Sequence, residues 1–369
     1  VKTLTVHDNH TPIYDIVLSD SYKHLKNHLE SLNIANRRIC IITENNVAPY
    51  YLEEITHIFK ESAKETFSYI FEAGEANKNL NTINSIYQKL ITYKFDRKDL
   101  LVALGGGVTG DMTGYAAATF LRGIDFIQLP TSLLSQVDSS IGGKTGVDFN
   151  SYKNMIGAFY QPKLVYINVS TLLTLRNREY YSGMGEIIKH GLIKSKAYYE
   201  WLKVNSVGIK ERQPDVLIEM IYESCDIKRS VVEKDPKEQG ERALLNFGHT
   251  IGHSIEKLMD FRMLHGECVA IGILAASYLS YKENYISKQL LLDIQHALYS
   301  FELPLTVNYQ SAEDILDVTK LDKKMEAGKV KFILLKDIGH AIIEKNLSDA
   351  QLLDSIEYIS RKAADRSTV

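Results

Sequence analysis

Between residues 38 and 167 short apolar runs alternate with amphipathic stretches. The runs at 38–43, 67–71, 99–104, 126–129 and 164–167 have the length and β-branched content of buried strands. Helical periodicity begins near 48, carries on to 90 after the second run, and returns over 112–120. Strands separated by helices predict an α/β domain, a parallel sheet with helices on both faces. After about residue 170 the pattern changes. Periods of 3.6 run over 178–193, 214–233, 242–259, 268–282 and 287–300, and only 330–335 and 341–344 read as strands, a small hairpin. Two domains follow, 1–172 built on the sheet and 173–369 mainly α-helical, with 361–369 expected to fray. No internal repeat or low-complexity segment interrupts them.

Composition narrows the class. The chain has 369 residues, 45% hydrophobic and 24% charged, with a net charge of −3. That balance gives no electrostatic footprint for nucleic acid, so an anionic ligand must be met by local cations. Three widely spaced cysteines, Cys40, Cys225 and Cys268, without a CxxC pair, point to reduced thiols and away from a disulfide frame. Val1-Lys2-Thr3-Leu4 opens no signal-peptide pattern and no apolar run has membrane-spanning length. A cytoplasmic protein without membrane or nucleic-acid partners is the expectation.

Gly105-Gly106-Gly107-Val108-Thr109-Gly110-Asp111 fits GxGxxG between a strand and a helix. Backbone without side chains admits a pyrophosphate, and the helix N-terminus favours its charge. The turn stands after the third predicted strand rather than the first, so Glu44, closing an earlier strand, suits a ribose hydroxyl better than Asp125 does. A Rossmann-like, nucleotide-binding domain is the reading for 1–172. The segment 130–146 is polar and glycine-rich, a loop of functional rather than core character. It carries Asp138 and Lys144, with Lys153 and Asn154 shortly beyond.

The densest chemistry lies at 246–267, NFGHTIGHSIEKLMDFRMLHGE. His249 and His253, four apart on a helix, sit about 40° apart on one face. His265 follows a break and stands before another apolar helix, so a chain reversal could bring a third imidazole to the same point. Upstream, Glu186 offers a carboxylate. One carboxylate, imidazoles and an open position form the ligand set of a catalytic divalent metal, zinc first. Spacing alone leaves all three histidines as candidates.

Taken together these blocks resemble the 3-dehydroquinate synthase family of the sugar-phosphate cyclases. The matching strings are GEANK at 74–78, GGGVTGD at 105–111, FLRG at 120–123, QVDSSIGGKTGVD at 136–148, KNMIGAF at 153–159, GEIIKHG at 185–191, NFGHTIGH at 246–253, HGE at 265–267 and DKK at 322–324. They span most of the chain in order. The resemblance implies a homodimeric cytoplasmic lyase of the shikimate pathway, on the route to chorismate and aromatic amino acids. It would turn 3-deoxy-D-arabino-heptulosonate 7-phosphate into 3-dehydroquinate and phosphate with NAD and one zinc or cobalt ion, its active site between the domains.

Residue by residue, the resemblance implies Glu186, His249 and His265 as metal ligands and leaves His253 beside the metal as a proton relay. Lys189, Asp138 and Asn246 would join His253 in catalysis. Lys144, Asn154, Lys189, Lys228, Arg242 and Asn246 would bind substrate, and Arg122 would reach the phosphate from the neighbouring subunit. One of Lys323 and Lys324 would touch substrate as well. For NAD the counterparts are Glu44, Gly74, Glu75, Lys78, the turn from Gly105 to Asp111, Thr131, Ser132, Lys144, Lys153 and Thr174. Ser132 stands where many members have threonine, and keeps the hydroxyl.

Such a reaction oxidises a ring hydroxyl, eliminates phosphate, reduces the ketone, opens the ring and closes a carbocycle, with NAD regenerated. A cation acidifies the hydroxyl and polarises the ketone. Lysines and arginines grip phosphate and carboxylate through charge-assisted bonds. Three rivals are a 2-deoxy-scyllo-inosose synthase, an iron-type polyol dehydrogenase and a non-catalytic nucleotide-binding module. Asn246 and the 139–144 run argue against the first, the phosphate-directed cations against the second, and the complete polar set against the third.

Overall fold

The computed structural model describes residues 1–360 except 151, 237, 239, 261, 309–310, 322–324 and 327–328, and gives the backbone alone at 325–326 and 329–330. Lys323, Lys324 and the tail 361–369 therefore lie outside the described residues.

Two compact units form. The first comprises Val1–Leu175 with Leu217–Arg229, the second Arg176–Val216 with Ser230–Val369. A single division at 172/173 misses one feature: Leu217–Arg229, the middle of helix Pro214–Lys234, belongs with the sheet.

In the first unit β1 (Lys2–Asp8), β2 (Thr11–Ser19), β3 (Arg38–Glu44), β4 (Glu65–Phe71), β5 (Leu100–Gly105), β6 (Asp125–Pro130), β7 (Lys144–Phe149), β8 (Tyr152–Phe159) and β9 (Leu164–Asn168) follow in chain order. The main sheet has the order β1-β2-β9-β6-β5-β3-β4, while β7 and β8 pair as a separate antiparallel hairpin. The sheet is mostly parallel, as expected, with one antiparallel pair added at its edge. β1 and β2 are antiparallel, joined through Asn9 and His10, both at positive φ as a tight hairpin turn demands, before β2 runs parallel to β9.

Alternation along the strands builds the two layers of core. Ile39, Ile41, Leu100, Val102 and Leu104 face Ile55 and Phe59 of helix Ala48–Lys60. Cys40, Ile42 and Leu101 face Ile83, Ile86 and Leu90 of helix Leu80–Thr92, and Met112, Ala116 and Ala117 of helix Gly107–Thr119. β3 is flanked by β4 on one side and β5 on the other, so the direction of strand addition reverses there. In open α/β sheets a crevice opens at the carboxyl ends of strands at such a switch point.

The second unit is built round helix His265–Lys282, whose residues from Cys268 to Ser280 are all buried. A helix apolar on every side belongs at the centre of its domain. Helices Asn177–Lys194 and His249–Leu258 pack on it, and a hairpin of Phe332–Asp337 with His340–Glu344 lies against it. The helix expected over 242–259 is interrupted. Glu241–Asn246 is a 3-10 turn, and Gly248 at φ 79° starts the α-helix afresh at His249. Among the described residues no helix is long and apolar enough to cross a membrane.

Candidate functional site

In the second unit two helix crossings bring the metal-type donors together. A Cβ on Gly266 would fall 1.8 Å from the Ser182 carbonyl oxygen, and one on Gly185 would fall 2.6 Å from the Gly266 oxygen. Helices Asn177–Lys194 and His265–Lys282 thus meet backbone to backbone beside Glu186 and His265. At the second crossing a Cβ on Gly272 would lie 1.8 Å from the Gly248 oxygen, which seats the start of helix His249–Leu258 on the same central helix. His265 opens its helix. Glu267 reaches back to accept the Leu264 N–H at 2.8 Å, and Arg178 grips that carboxylate with Nε at 2.7 Å and Nη2 at 2.8 Å.

Glu186 is fully buried, its Oε1 lying 3.2 Å from His249 Nε2 and 3.4 Å from His265 Nε2. Neither contact is well aligned as a hydrogen bond, although both rings lie close enough to lower the carboxylate's pKa. The far nitrogens are held: His249 Nδ1 lies 3.2 Å from the Phe247 carbonyl and His265 Nδ1 3.4 Å from Glu256 Oε2. Two imidazoles thus turn Nε2 towards one carboxylate oxygen, as a cation between them requires. His253 is near, its ring 5.2 Å from His249 and 5.7 Å from His265, and the three histidines can offer ligand atoms within 4.8 Å of one another. Geometry alone therefore keeps His253 as an alternative ligand.

Lys189 pairs with Glu186 one turn along the same helix. Burial works against the Glu186 carboxylate, but Lys189 and His249 outweigh it and hold it well below the usual range. Burial and Lys189 push His249 down to about 4 against the pull of Glu186. For His265 burial is overcome by Glu186 and Glu256, which hold the ring up at about 9. Nearby in sequence, Arg242 donates through Nη1 to the Pro236 carbonyl at 2.7 Å, and Asn246 donates to Glu238 at 2.8 Å.

In the first unit the nucleotide-type residues gather at the carboxyl ends of the strands. Glu44 closes β3, its carboxylate accepting the Asn46 N–H at 2.7 Å. Gly74 and Glu75 follow β4, the glycine turn follows β5, and Thr131 and Ser132 follow β6. A Cβ on Gly105 would meet Thr109 Oγ1 at 2.5 Å, so the turn closes only around glycine. Thr174 is bonded to the Tyr51 hydroxyl.

Lys78 ties three of the sequence blocks. Its buried ammonium lies 2.7 Å from Asp111 and 2.5 Å from the Asn154 amide oxygen, with Glu75 at 3.9 Å. Burial opposes the Lys78 charge, yet Asp111 and Glu75 hold its pKa above the ordinary value. Burial also pushes Asp111 up against Lys78, but a 2.7 Å contact is that of an ionised pair. Lys153 approaches Glu75 at 3.4 Å. Asp138, in a one-turn π-helix at Ser135–Ser139, is bound by Lys228 through both its carboxylate and its carbonyl. The segment 130–146, expected as a loop, is thus a helical turn followed by the strand β7, on which Lys144 stands. Leu121 and Arg122 lie at positive φ, 51° and 71°, a strained presentation for side chains of that size.

The sequence assigns no role to Glu256 or Gln136, though both lie in the quoted stretches. Gln136 is fully buried and its amide donates to Pro130, Asn168 and Thr171, pinning the start of the polar segment.

Known proteins are similar to this chain in sequence and in fold. Residues 68–182 match the model of the 3-dehydroquinate synthase N-terminal domain and 183–325 that of its C-terminal domain. A 3-dehydroquinate synthase of Acetivibrio thermocellus is 43% identical over 343 residues, 93% of this chain and 95% of its own. Two solved structures share the fold at a TM-score of 0.87. One is a 2-deoxy-scyllo-inosose synthase complexed with carbaglucose-6-phosphate, NAD+ and Co2+, 23% identical over 96% of this chain and 99% of that one. The other is a 2-epi-5-epi-valiolone synthase from Streptomyces hygroscopicus with NAD+ and Zn2+ bound, 24% identical over 96% and 97%. Two family models covering successive stretches of the chain, together with a relative 43% identical along nearly its whole length, establish that this protein belongs to the 3-dehydroquinate synthase family.

Proposed function

We infer that the chain is a 3-dehydroquinate synthase, converting 3-deoxy-D-arabino-heptulosonate 7-phosphate to 3-dehydroquinate and phosphate with NAD and one divalent cation, zinc or cobalt. The observation that carries the cation is the buried Glu186 oxygen faced by two Nε2 atoms, at 3.2 and 3.4 Å. The donor set, one carboxylate and two imidazoles, suits zinc or cobalt. For NAD the support is the glycine turn at the strand-order reversal and the acid at the end of β3.

NAD supplies reversible hydride transfer at the ring hydroxyl, and a divalent cation lowers that hydroxyl's pKa and polarises the ketone. Glu186, His249 and His265 would hold the cation. Lys189 balances the buried carboxylate and keeps it ionised. His253, beside the two ligand rings, is placed to hold or pass a proton. Lys228 fixes Asp138 through two contacts, so that carboxylate keeps one orientation. Lys144, Asn154, Arg242, Asn246 and Arg122 are the proposed contacts to substrate, Arg122 acting in a partner subunit of a homodimer. Glu44, Gly74, Glu75, Lys78, Thr131, Ser132, Lys153 and Thr174 are the proposed NAD contacts.

The test supplies the heptulosonate phosphate to metal-loaded protein and measures phosphate released. Turnover that needs catalytic NAD, stops on chelation and accumulates no NADH supports the reading. Stoichiometric NADH would mark a dehydrogenase instead.

A further inference from the structure

Each candidate ligand histidine has its second nitrogen held, but by different chemistry. His249 Nδ1 meets the Phe247 carbonyl, a neutral acceptor, at 3.2 Å. His265 Nδ1 meets Oε2 of Glu256, a carboxylate, at 3.4 Å. Glu256 is buried, 4% exposed, on helix His249–Leu258. It stands seven residues after His249 and three after His253, so all three share one helical stripe. A buried carboxylate is costly unless charged or hydrogen-bonding groups compensate it, and nothing on a helix's inner face needs an acid for packing.

We propose that Glu256 is a positioning residue for the metal centre. It accepts the Nδ1–H of His265, fixes the tautomer that leaves the Nε2 lone pair aimed at the Glu186 side, and makes that nitrogen a stronger donor to a divalent cation. His265 needs this more than His249 does. Each ring opens its helix, but the His249 side chain is 11% exposed and the His265 side chain 26%. An imidazole free to turn at a solvent edge loses its aim, and a carboxylate acceptor restores it.

The inference rests on Glu186, His249 and His265 being the metal ligands, and the experiment separates the two. The full-length protein is stripped with chelator, then titrated with Zn2+ against a competing chromophoric chelator. Glu256→Gln, Glu256→Ala and His265→Ala are compared with the parent, and metal-free thermal unfolding is recorded for each. Glu256→Gln keeps an acceptor without its charge and should bind Zn2+ about 10-fold more weakly, while Glu256→Ala approaches about 100-fold. The visible ligand-field spectrum of the Co2+-loaded variants should shift at the same time. A Glu256→Gln protein with parental Zn2+ affinity and Co2+ spectrum overturns the proposal, whether or not the alanine variant folds. If His265→Ala keeps parental affinity, the ligand assignment itself has failed. A purely structural role for Glu256 would lower the metal-free unfolding temperature and leave the glutamine variant's affinity intact, which also overturns the proposal.

Discussion

Replacing Gly266 by alanine tests whether the helix crossing builds the proposed metal centre. The added Cβ would lie 1.8 Å from the Ser182 carbonyl oxygen, about 1.6 Å short of an ordinary contact near 3.4 Å. That oxygen is backbone inside helix Asn177–Lys194 and has no rotamer to escape into. The two helices must therefore part, and Glu186 and His265 ride on opposite sides of the gap. Overpacking of this kind costs about 1–3 kcal/mol, and alanine's better helix propensity returns up to about 1 kcal/mol. A net loss of about 1–2 kcal/mol should appear in urea unfolding of the metal-free protein. Metal sites tolerate ligand displacements of roughly 0.2 Å, so a shift several times larger should weaken Zn2+ binding at least about 10-fold. Disproportion is the signature: modest stability loss, severe metal loss. Parental zinc affinity in a stably folded Gly266→Ala protein would refute the argument, because it would show that the crossing does not set the ligand spacing.

Four further outcomes are expected. His249→Ala or His265→Ala should remove stoichiometric metal and nearly all turnover, as elemental analysis and phosphate release would report. His253→Ala should keep its metal and turn over slowly, and loss of metal there would make it a ligand. Lys78→Met strands the Asp111 carboxylate and should lower stability by roughly 3 kcal/mol, the low end for a broken buried pair because Asp111 is partly exposed. Lys78 also carries a pH signature. Its folded pKa lies above the unfolded value near 10.5, so its contribution is complete below about pH 10.5 and is lost as pH rises through the folded pKa. The parent's urea midpoint should accordingly fall more steeply above pH 10.5 than the variant's, and equal slopes would count against the ion pair.

Much of the sheet was legible because strands buried on both faces write continuous apolar runs. All five runs from 38 to 167 coincide with strands of the main sheet. The edge pair was not. β1 alternates polar with apolar residues, burying Leu4 and Val6, whereas β2 ends in the short buried run from Ile16 to Ser19, and their turn is Asp8-Asn9-His10 rather than an asparagine–glycine pair. Without a glycine the hairpin leaves no short-range mark, although Asn9 and His10 adopt the positive φ values such a turn needs. The break at Gly248 was hidden for a related reason. Periodicity across 242–259 is unbroken, and only packing against Gly272 explains why the chain must turn there.

The donors at the metal-type site announce themselves through residue type, whereas their arrangement depends on residues with no chemistry of their own. Glu186 and the three histidines His249, His253 and His265 stand out by residue type. What brings Nε2 atoms from two helix starts to one oxygen on a third is the absence of side chains at Gly185, Gly266 and Gly272, 1.8 to 2.6 Å from opposing carbonyls. A glycine in a helix reads as a weak point costing up to about 1 kcal/mol, and nothing local says that it permits a crossing. Glu256 is the complementary case. An acid near a helix end, next to a lysine, reads as a solvated face, and its burial follows only once the central helix lies across it. Residues whose value lies in what they approach are thus invisible until the approach is known. The same logic makes the glycine contacts and Glu256 sharper probes of the proposed centre than its proposed ligands, since a lost ligand would remove the metal whatever the surrounding geometry.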